Sequence, residues 1–373
     1  MHVAGRIGEQ VGLSPKEIKV VRIGGLLHDI GHGPFSHVFE QIMDTIAGES
    51  FPHAKITSLI LENNKEIRKA LKDLSIDISE VLNFQKEDAK CEILSGPLDA
   101  DRLDYLRRDS YHIGVAYGVF DFERVIRNLC IINDGERDYI GIHEKGVDAI
   151  ESYRMARHNM HTQVYEHHTR LVAEDMFLRA VRCALEEAVL DRDSLNPKVD
   201  VNRFLSYYLT LDDGFLQYLL LTQSKQKARK IIIALMERRL LKRAYFIPIS
   251  AEAIPDYTQR MKFQKMKQEQ VGELERDISS KAGLEPDELM LHLQSTEIRL
   301  YENLNEPSGI EEKPILVKCY DGLIKHISEI SPFTASPMRK RLYVFCPEKE
   351  TRRVAKIAED IIGVKNHYTP RQK

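Results

Sequence analysis

Apolar positions recur three and four residues apart through most of the first 245 residues, the spacing that turns one side of an α-helix toward a core. Residues 1–11 read as the end of a helix. Ser14-Pro15-Lys16-Glu17 then forms a capping box, with a hydroxyl at the N-cap, proline in the first turn and a glutamate three residues on. The helix behind it carries Ile18, Val21, Leu26 and Leu27 toward a core and ends at His28-Asp29. Val38 to Ile46 repeats the pattern, as does a run from His53 to about Leu74. Residues 101–112 are again helical. The spacing predicts one long helix over 146–189 and two more between 206 and 241, the second starting at Lys225. Residues 137–143 have the look of a short strand. Past Ala244 the pattern changes: Tyr245–Ile249, Ile315–Val317 and Arg341–Phe345 are strand-like, with helical runs at 254–282 and 351–362. The prediction is a mainly α protein: a helical domain over 1–245 and a smaller α+β C-terminal subdomain over 246–373.

Composition narrows the class. The chain has 373 residues, 43% hydrophobic and 30% charged, as a globular protein of one large or two ordinary domains does. A formal net charge of -3 argues against a field built for nucleic acid, so an anionic ligand needs a local cationic site. Basic residues do cluster from Lys225 to Arg239. They interleave with Ile231, Ile232, Ile233, Leu235 and Met236, which reads as the solvated face of a packed helix and disfavours a nucleic-acid partner. The 5 cysteines are scattered and form no CxxC, which suits a reducing, cytoplasmic setting and excludes a cysteine-based zinc module. No apolar run is long enough to span a bilayer, and no secretory h-region opens the sequence, so no membrane partner is expected.

Three stretches carry candidate chemistry. In His28-Asp29-Ile30-Gly31-His32-Gly33-Pro34-Phe35-Ser36-His37, imidazoles and a carboxylate crowd a segment shaped by glycine and proline. These are the usual donors for Zn, Fe, Mn and Ni. In the second stretch, Asp101, Tyr105 and Asp109 drift by only about 80° around a helix, so all three can face one cleft. Arg102 and Arg108 flank that face and suit phosphate oxygens. In the third, Arg154, Arg157, His161, Tyr165 and His168 recur at helical spacing with His167 beside them. Solvent-facing stripes are mostly Lys and Glu, so an inward cationic wall around an anion is the better reading.

Together these strings resemble the HD-domain phosphohydrolases and, within them, the deoxynucleoside triphosphate triphosphohydrolases. The resemblance covers roughly residues 1–245. It rests on His-Asp-Ile-Gly-His-Gly-Pro-Phe-Ser-His at 28–37, Asp-Arg-Leu-Asp-Tyr-Leu-Arg-Arg-Asp-Ser-Tyr-His at 101–112, and Arg157-xxx-His161-xxx-Tyr165-x-His167. It implies a multi-helical HD-domain fold and one divalent transition metal (Mn, Fe, Zn or Ni), with Mg accompanying the substrate. His28 and Asp29 match the central metal-binding pair and Asp101 the distal carboxylate. His32, His37 and His53 match catalytic or phosphate-contacting histidines. Arg102 takes the place of a phosphate-binding lysine, and Arg157 matches a phosphate-binding arginine. Tyr105, Asp109 and Tyr165 match residues that hold the deoxyribose, and His161 and His167 line the same pocket.

The sequence also departs from the family pattern. The family's first metal ligand is a histidine in a His-Ser-Leu-Gly string ahead of the segment that matches Met1–Gly5. His2 is offset from it by about six positions, roughly 240° of helix rotation, and does not match it. The expectation is a domain truncated at its N-terminus relative to the family, with one ligand fewer. Ala54 and Glu166 stand where the family often has Glu and Gln. The implied activity is hydrolysis of deoxynucleoside triphosphates, dGTP among them, to deoxynucleoside and triphosphate. The alternatives are an HD phosphohydrolase for another phosphoester and a nucleotide-binding protein with impaired catalysis. Self-association into a homo-oligomer is expected on the same resemblance.

Overall fold

A computed structural model of the chain describes residues 1–82, 89–133, 135, 137–285, 287–296, 315–331 and 339–369. It is mainly helical, and its residues gather into two compact units. The first comprises Met1–Val164, Asp193–Thr210 and Arg299–Ser336, the second Tyr165–Arg192, Leu211–Ile298 and Pro337–Lys373. The chain therefore passes between the units more than once.

In the first unit, α1 (His2–Gln10) packs on α2 (Pro15–Leu27), whose N-terminus closes with the Ser14/Glu17 capping box. Helices α3 (His37–Ala47), α4 (His53–Asn63), α5 (Lys65–Asp73), α6 (Ile78–Leu82), α7 (Ala89–Glu92), α8 (Ala100–Ile113) and α9 (Phe122–Asn128) follow. The run predicted as one helix from His53 to Leu74 is two. The Asn64 side chain accepts hydrogen bonds from Glu66 N and Ile67 N, both at 3.0 Å, and so caps α5 afresh. Ile7, Val21, Phe39, Ile42, Ile56, Leu103 and Leu106 are wholly buried and form the interior of this unit. Its sheet has the order β1-β2-β5-β6. Strands β1 (Leu129–Asn133) and β2 (Asp138–His143) are antiparallel, and β2 pairs parallel to β5 (Leu316–Lys318), which turns back into β6 (Ile324–His326). Strand β1 has no alternation that sets it apart from the helix before it, and the sequence did not reveal it.

The predicted helix over 146–189 is also not continuous. It consists of α10 (Val147–Met160), a π-helical turn at His161–Tyr165, and α11 (His168–Glu186), which His167 caps by accepting from Thr169 N at 3.3 Å. A π turn spreads each hydrogen bond over one extra residue, so the regular stripe inferred from spacing ends at His161. Helix α12 (Val201–Tyr208) completes the first unit.

The second unit shows why its strands read as continuous apolar runs. Its sheet, β3 (Lys242–Pro248), β7 (Arg339–Cys346) and β4 (Met290–Thr296), is antiparallel in the order β3-β7-β4. Along β7, Leu342, Val344 and Cys346 join one buried cluster, while Tyr343 and Phe345 join another on the opposite face. The first cluster includes Val271 and Ile278 of α16 (Gln268–Ala282) and Val354, Ala358 and Ile362 of α17 (Thr351–Ile362). The second includes Val172, Met176 and Ala180 of α11 and Ile231 of α14 (Gln226–Met236). Helices thus cover both faces of the sheet. Helices α13 (Asp213–Thr222) and α15 (Tyr257–Gln264) lie in the same unit, and α15 with α16 replaces the single helix expected over 254–282.

Candidate metal centre

The His28–His37 segment lies in the first unit, where α2 ends. His28 is the C-cap of α2, and after it the chain leaves helical geometry. Phe35 (φ 56°) and Ser36 (φ 52°, ψ -122°) both take backbone conformations that L-residues adopt at a cost before α3 resumes at His37. Three contacts hold this turn. Thr57 Oγ1, on α4, accepts from Gly31 N at 3.0 Å and donates to His28 O at 3.0 Å. Tyr208, the last residue of α12, donates its hydroxyl to Gly31 O at 2.8 Å. Gly31 has no room for a side chain: a Cβ there would lie 2.2 Å from His53 O and 2.4 Å from Thr57 N. Close approach to α4, rather than an unusual φ, is what requires glycine here.

That approach sets His53, the first residue of α4, against the histidines of the turn. His53 stacks on His32 with ring centroids 3.9 Å apart, and His37 meets His32 edge-on at 4.8 Å. From the other side comes α8. Asp99 caps it by accepting from Arg102 N at 2.7 Å, and Asp101 sits in its first turn, where the helix dipole favours a carboxylate. Asp99 itself is almost fully buried, which pushes its carboxyl up to about 6.

Two groups of donor atoms result. In the first, His28 Nε2 lies 3.3 Å from Asp29 Oδ1 and 3.6 Å from Asp101 Oδ1. In the second, Glu40 Oε1 gathers three imidazoles, with Nδ1 of His53 at 2.6 Å, of His37 at 3.2 Å and of His32 at 3.5 Å. Asp29 joins the two, because its Oδ1 is also 3.8 Å from His32 Nε2 and 3.6 Å from His53 Nε2. The charges respond. The Asp101 carboxylate, followed by Asp29, raises the His28 imidazole above its ordinary value despite burial. Burial pushes His32 down, and the neighbouring His53 adds to that. Burial works to raise Asp101 and Glu40, but the imidazoles beside each outweigh it and both end below the usual carboxylate range.

The residues present fit a metal ion. Two ligand atoms each about 2.1 Å from one ion, at octahedral to tetrahedral angles, stand about 3.0–3.4 Å apart. The distances from His28 Nε2 to Asp29 Oδ1 and to Asp101 Oδ1, 3.3 and 3.6 Å, lie within tenths of an ångström of that spacing. Nε2 of His28, the nitrogen that faces both carboxylates, is shut off from solvent without a hydrogen bond, a demand that a coordinated cation satisfies.

A cavity of about 620 Å³ opens on this centre. His28, Asp29, His32, His37, His53, Asp101, Arg102 and Tyr105 all line it. Arg102 is already engaged within the protein, by Asp99 Oδ2 at 2.9 Å and by Gly96 O. Asp109, Arg157 and His161 belong to the first unit but do not line the cavity, although Arg157 acts electrostatically on Tyr105. Tyr165 and His167 fall in the second unit. Sequence reasoning missed Glu40, Thr57, Asp99 and Tyr208. Glu40 was the accessible one, since it follows His37 by three residues on a helix. Thr57 is expected to matter through its hydroxyl. Thr57→Val should weaken metal retention about tenfold in a chelator competition while Thr57→Ser restores it, and equal retention by both would remove the role.

A family model described as HD associated region matches residues 120–373, and one described as HD domain matches residues 1–108. The chain belongs to the HD-domain family. This HD-domain protein is 37% identical over 216 residues to an uncharacterised protein of Methanocaldococcus jannaschii, covering 58% of the chain and 44% of that relative. It is 27% identical over 273 residues to a protein of Dictyostelium discoideum named as a deoxynucleoside triphosphate triphosphohydrolase homologue, covering 68% of the chain and 51% of that relative. The chain thus spans about half the length of each. Among solved structures, a phosphohydrolase from Bacteroides thetaiotaomicron superposes with a TM-score of 0.67 at 25% identity, covering 92% of this chain and 85% of that one. No helix among the described residues is long and apolar enough to cross a membrane.

Proposed function

We propose that this HD-domain protein is a metal-dependent phosphohydrolase acting on deoxynucleoside triphosphates, with deoxynucleoside and intact triphosphate as products. The observation that carries the hydrolase reading is the meeting of His28, Asp29 and Asp101 beside the Glu40-gathered histidines in one open cavity. The nucleotide part rests on the Tyr105, Asp109 and Arg157 set and on the printed name of the Dictyostelium relative. A divalent transition metal bound by His28, Asp29 and Asp101 supplies Lewis acidity toward the phosphate and makes water more acidic.

The chain's own residues do the rest. Water adds to the α-phosphorus, the bond from that phosphorus to the 5' oxygen breaks, and the leaving alkoxide must receive a proton. His53 or His37 gives it, since an imidazole nitrogen can hold and release a proton and Glu40 fixes the ring of each through Nδ1. Arg102 and Arg157 offset charge on the phosphates, a large share of catalysis in phosphoryl chemistry. His161 binds at the nucleotide, and Tyr105 and Asp109 hold its sugar. Incubation with dGTP and Mn²⁺ should release triphosphate and deoxyguanosine in equal amounts. Release of only pyrophosphate or orthophosphate would rule out this route while leaving a phosphohydrolase.

A further inference from the structure

Asp99 is almost wholly buried at the start of α8, and both of its carboxylate oxygens are engaged close by. Oδ1 accepts from Arg102 N at 2.7 Å, the bond that caps the helix. Oδ2 accepts from Arg102 Nη1 at 2.9 Å and from Gly96 N at 3.3 Å. The Gly96 carbonyl accepts from the same Nη1, so the turn from Gly96 to Asp99 grips one corner of the guanidinium. A Cβ at Gly96 would lie 2.6 Å from Glu92 O, so this turn packs tightly on the end of α7. Capping alone needs one oxygen and no charge, since serine or asparagine caps a helix about as well as aspartate does. The buried charge and the second oxygen serve Arg102 and the Gly96 turn instead.

We infer that Asp99 is a positioning residue, which fixes the Arg102 guanidinium in the cavity wall where it meets a phosphate held at the His28–Asp29–Asp101 centre. The inference rests on the phosphohydrolase reading, in which Arg102 offsets phosphate charge, and adds what aims that charge. Arg102 lines the cavity together with Asp29 and Asp101, and Asp101 is its neighbour in the first turn of α8. An unheld arginine gives up rotamer freedom each time it takes an anion, and a pinned one has already done so. The carboxylate also works against the site, because its own charge repels a phosphate. That charge is offset by the guanidinium it holds and by two backbone N–H groups, so pinning outweighs repulsion. One side chain then sets both the helix turn that presents Asp101 and the place of the cation beside it.

The test uses the full chain loaded with Mn²⁺ and the non-hydrolysable probe methylphosphonate, followed by calorimetric titration. Arg102→Gln should weaken binding about tenfold through loss of a charge-assisted hydrogen bond. Asp99→Asn, which keeps a capping side chain but not the charge, should weaken it about fivefold while the metal content stays that of the wild type. Asp99→Ser, a smaller capping residue, should do the same and stands in if the asparagine variant does not fold. Because Asp99 acts through Arg102, the double variant should bind no more weakly than Arg102→Gln alone, whereas independent effects would multiply to about fiftyfold. Multiplied effects overturn the positioning role, and so does unchanged or tighter binding by Asp99→Asn. Loss of metal from both Asp99 variants overturns it too, since the side chain would then act on α8 as a whole. Unchanged binding by Arg102→Gln removes the arginine from the phosphate site and the role of Asp99 with it. Failure of methylphosphonate to bind the wild-type protein overturns the phosphoester reading itself.

Discussion

Asp29→Asn is expected to empty the protein of its transition metal and to lower phosphoester hydrolysis by at least about a thousandfold, since the Lewis acidity lost with the ion corresponds to several kcal/mol of barrier. The reason lies in the position of one oxygen. Asp29 Oδ1 stands within 3.3–3.8 Å of Nε2 on His28, His32 and His53, so it is shared by both donor groups. Asparagine keeps the shape but loses the charge, and its amide can place an N–H where an ion must be. The side chain is 46% exposed, so the metal-free variant should melt close to the metal-free wild type. Elemental analysis after dialysis against a weak chelator reads the first effect, and a product assay reads the second. A variant that keeps a full equivalent of metal would show that Asp29 is not a ligand.

Gly31→Ala is expected to act in the opposite order, on stability first. The added methyl would lie 2.2 Å from a carbonyl oxygen and 2.4 Å from a backbone nitrogen of α4, so neither obstacle is the end of a flexible side chain. The helix must move, and with it the Thr57 bridge and the stacking of His53 on His32. Overpacking of this kind costs about 3 kcal/mol. The urea midpoint should fall accordingly, and metal affinity should fall with it because the Thr57 bond that holds the His28 backbone is displaced. An unchanged midpoint would mean that α4 can give way freely, which the Thr57 and Tyr208 hydrogen bonds argue against.

How much of this could be read in the sequence follows from how local each feature is. The capping box at Ser14, the helix from Ala100, and α17 from Thr351 to Ile362 stand where their spacing put them, because caps and helix periodicity are written within a few residues. The breaks were harder. Asn64 ends one helix and starts another with its own side chain, and the π turn at His161–Tyr165 depends on a hydrogen-bond register that no residue type announces. At the metal centre, His28, Asp29, His32 and His37 could be picked out by residue type, and His53 and Asp101 by family resemblance. Thr57 could not, since it acts through a partner that only folding brings near, and of Glu40's contacts only the one to His37 is local. The two compact units are likewise assembled from separated stretches, an arrangement that reading along the chain does not disclose.

The backbone at Phe35 and Ser36 carries a consequence for how the protein fails. Each residue is held in a conformation that costs about 1–3 kcal/mol and lasts only while its surroundings enforce it. The enforcement comes from α3 and from the α4 and α12 contacts to the preceding turn. On warming, that turn has the most to gain by relaxing, and it can do so while the helices around it are still formed. Heat inactivation should therefore begin below the melting temperature, as the histidines drift out of register, and it should reverse on cooling as long as the helices have not parted.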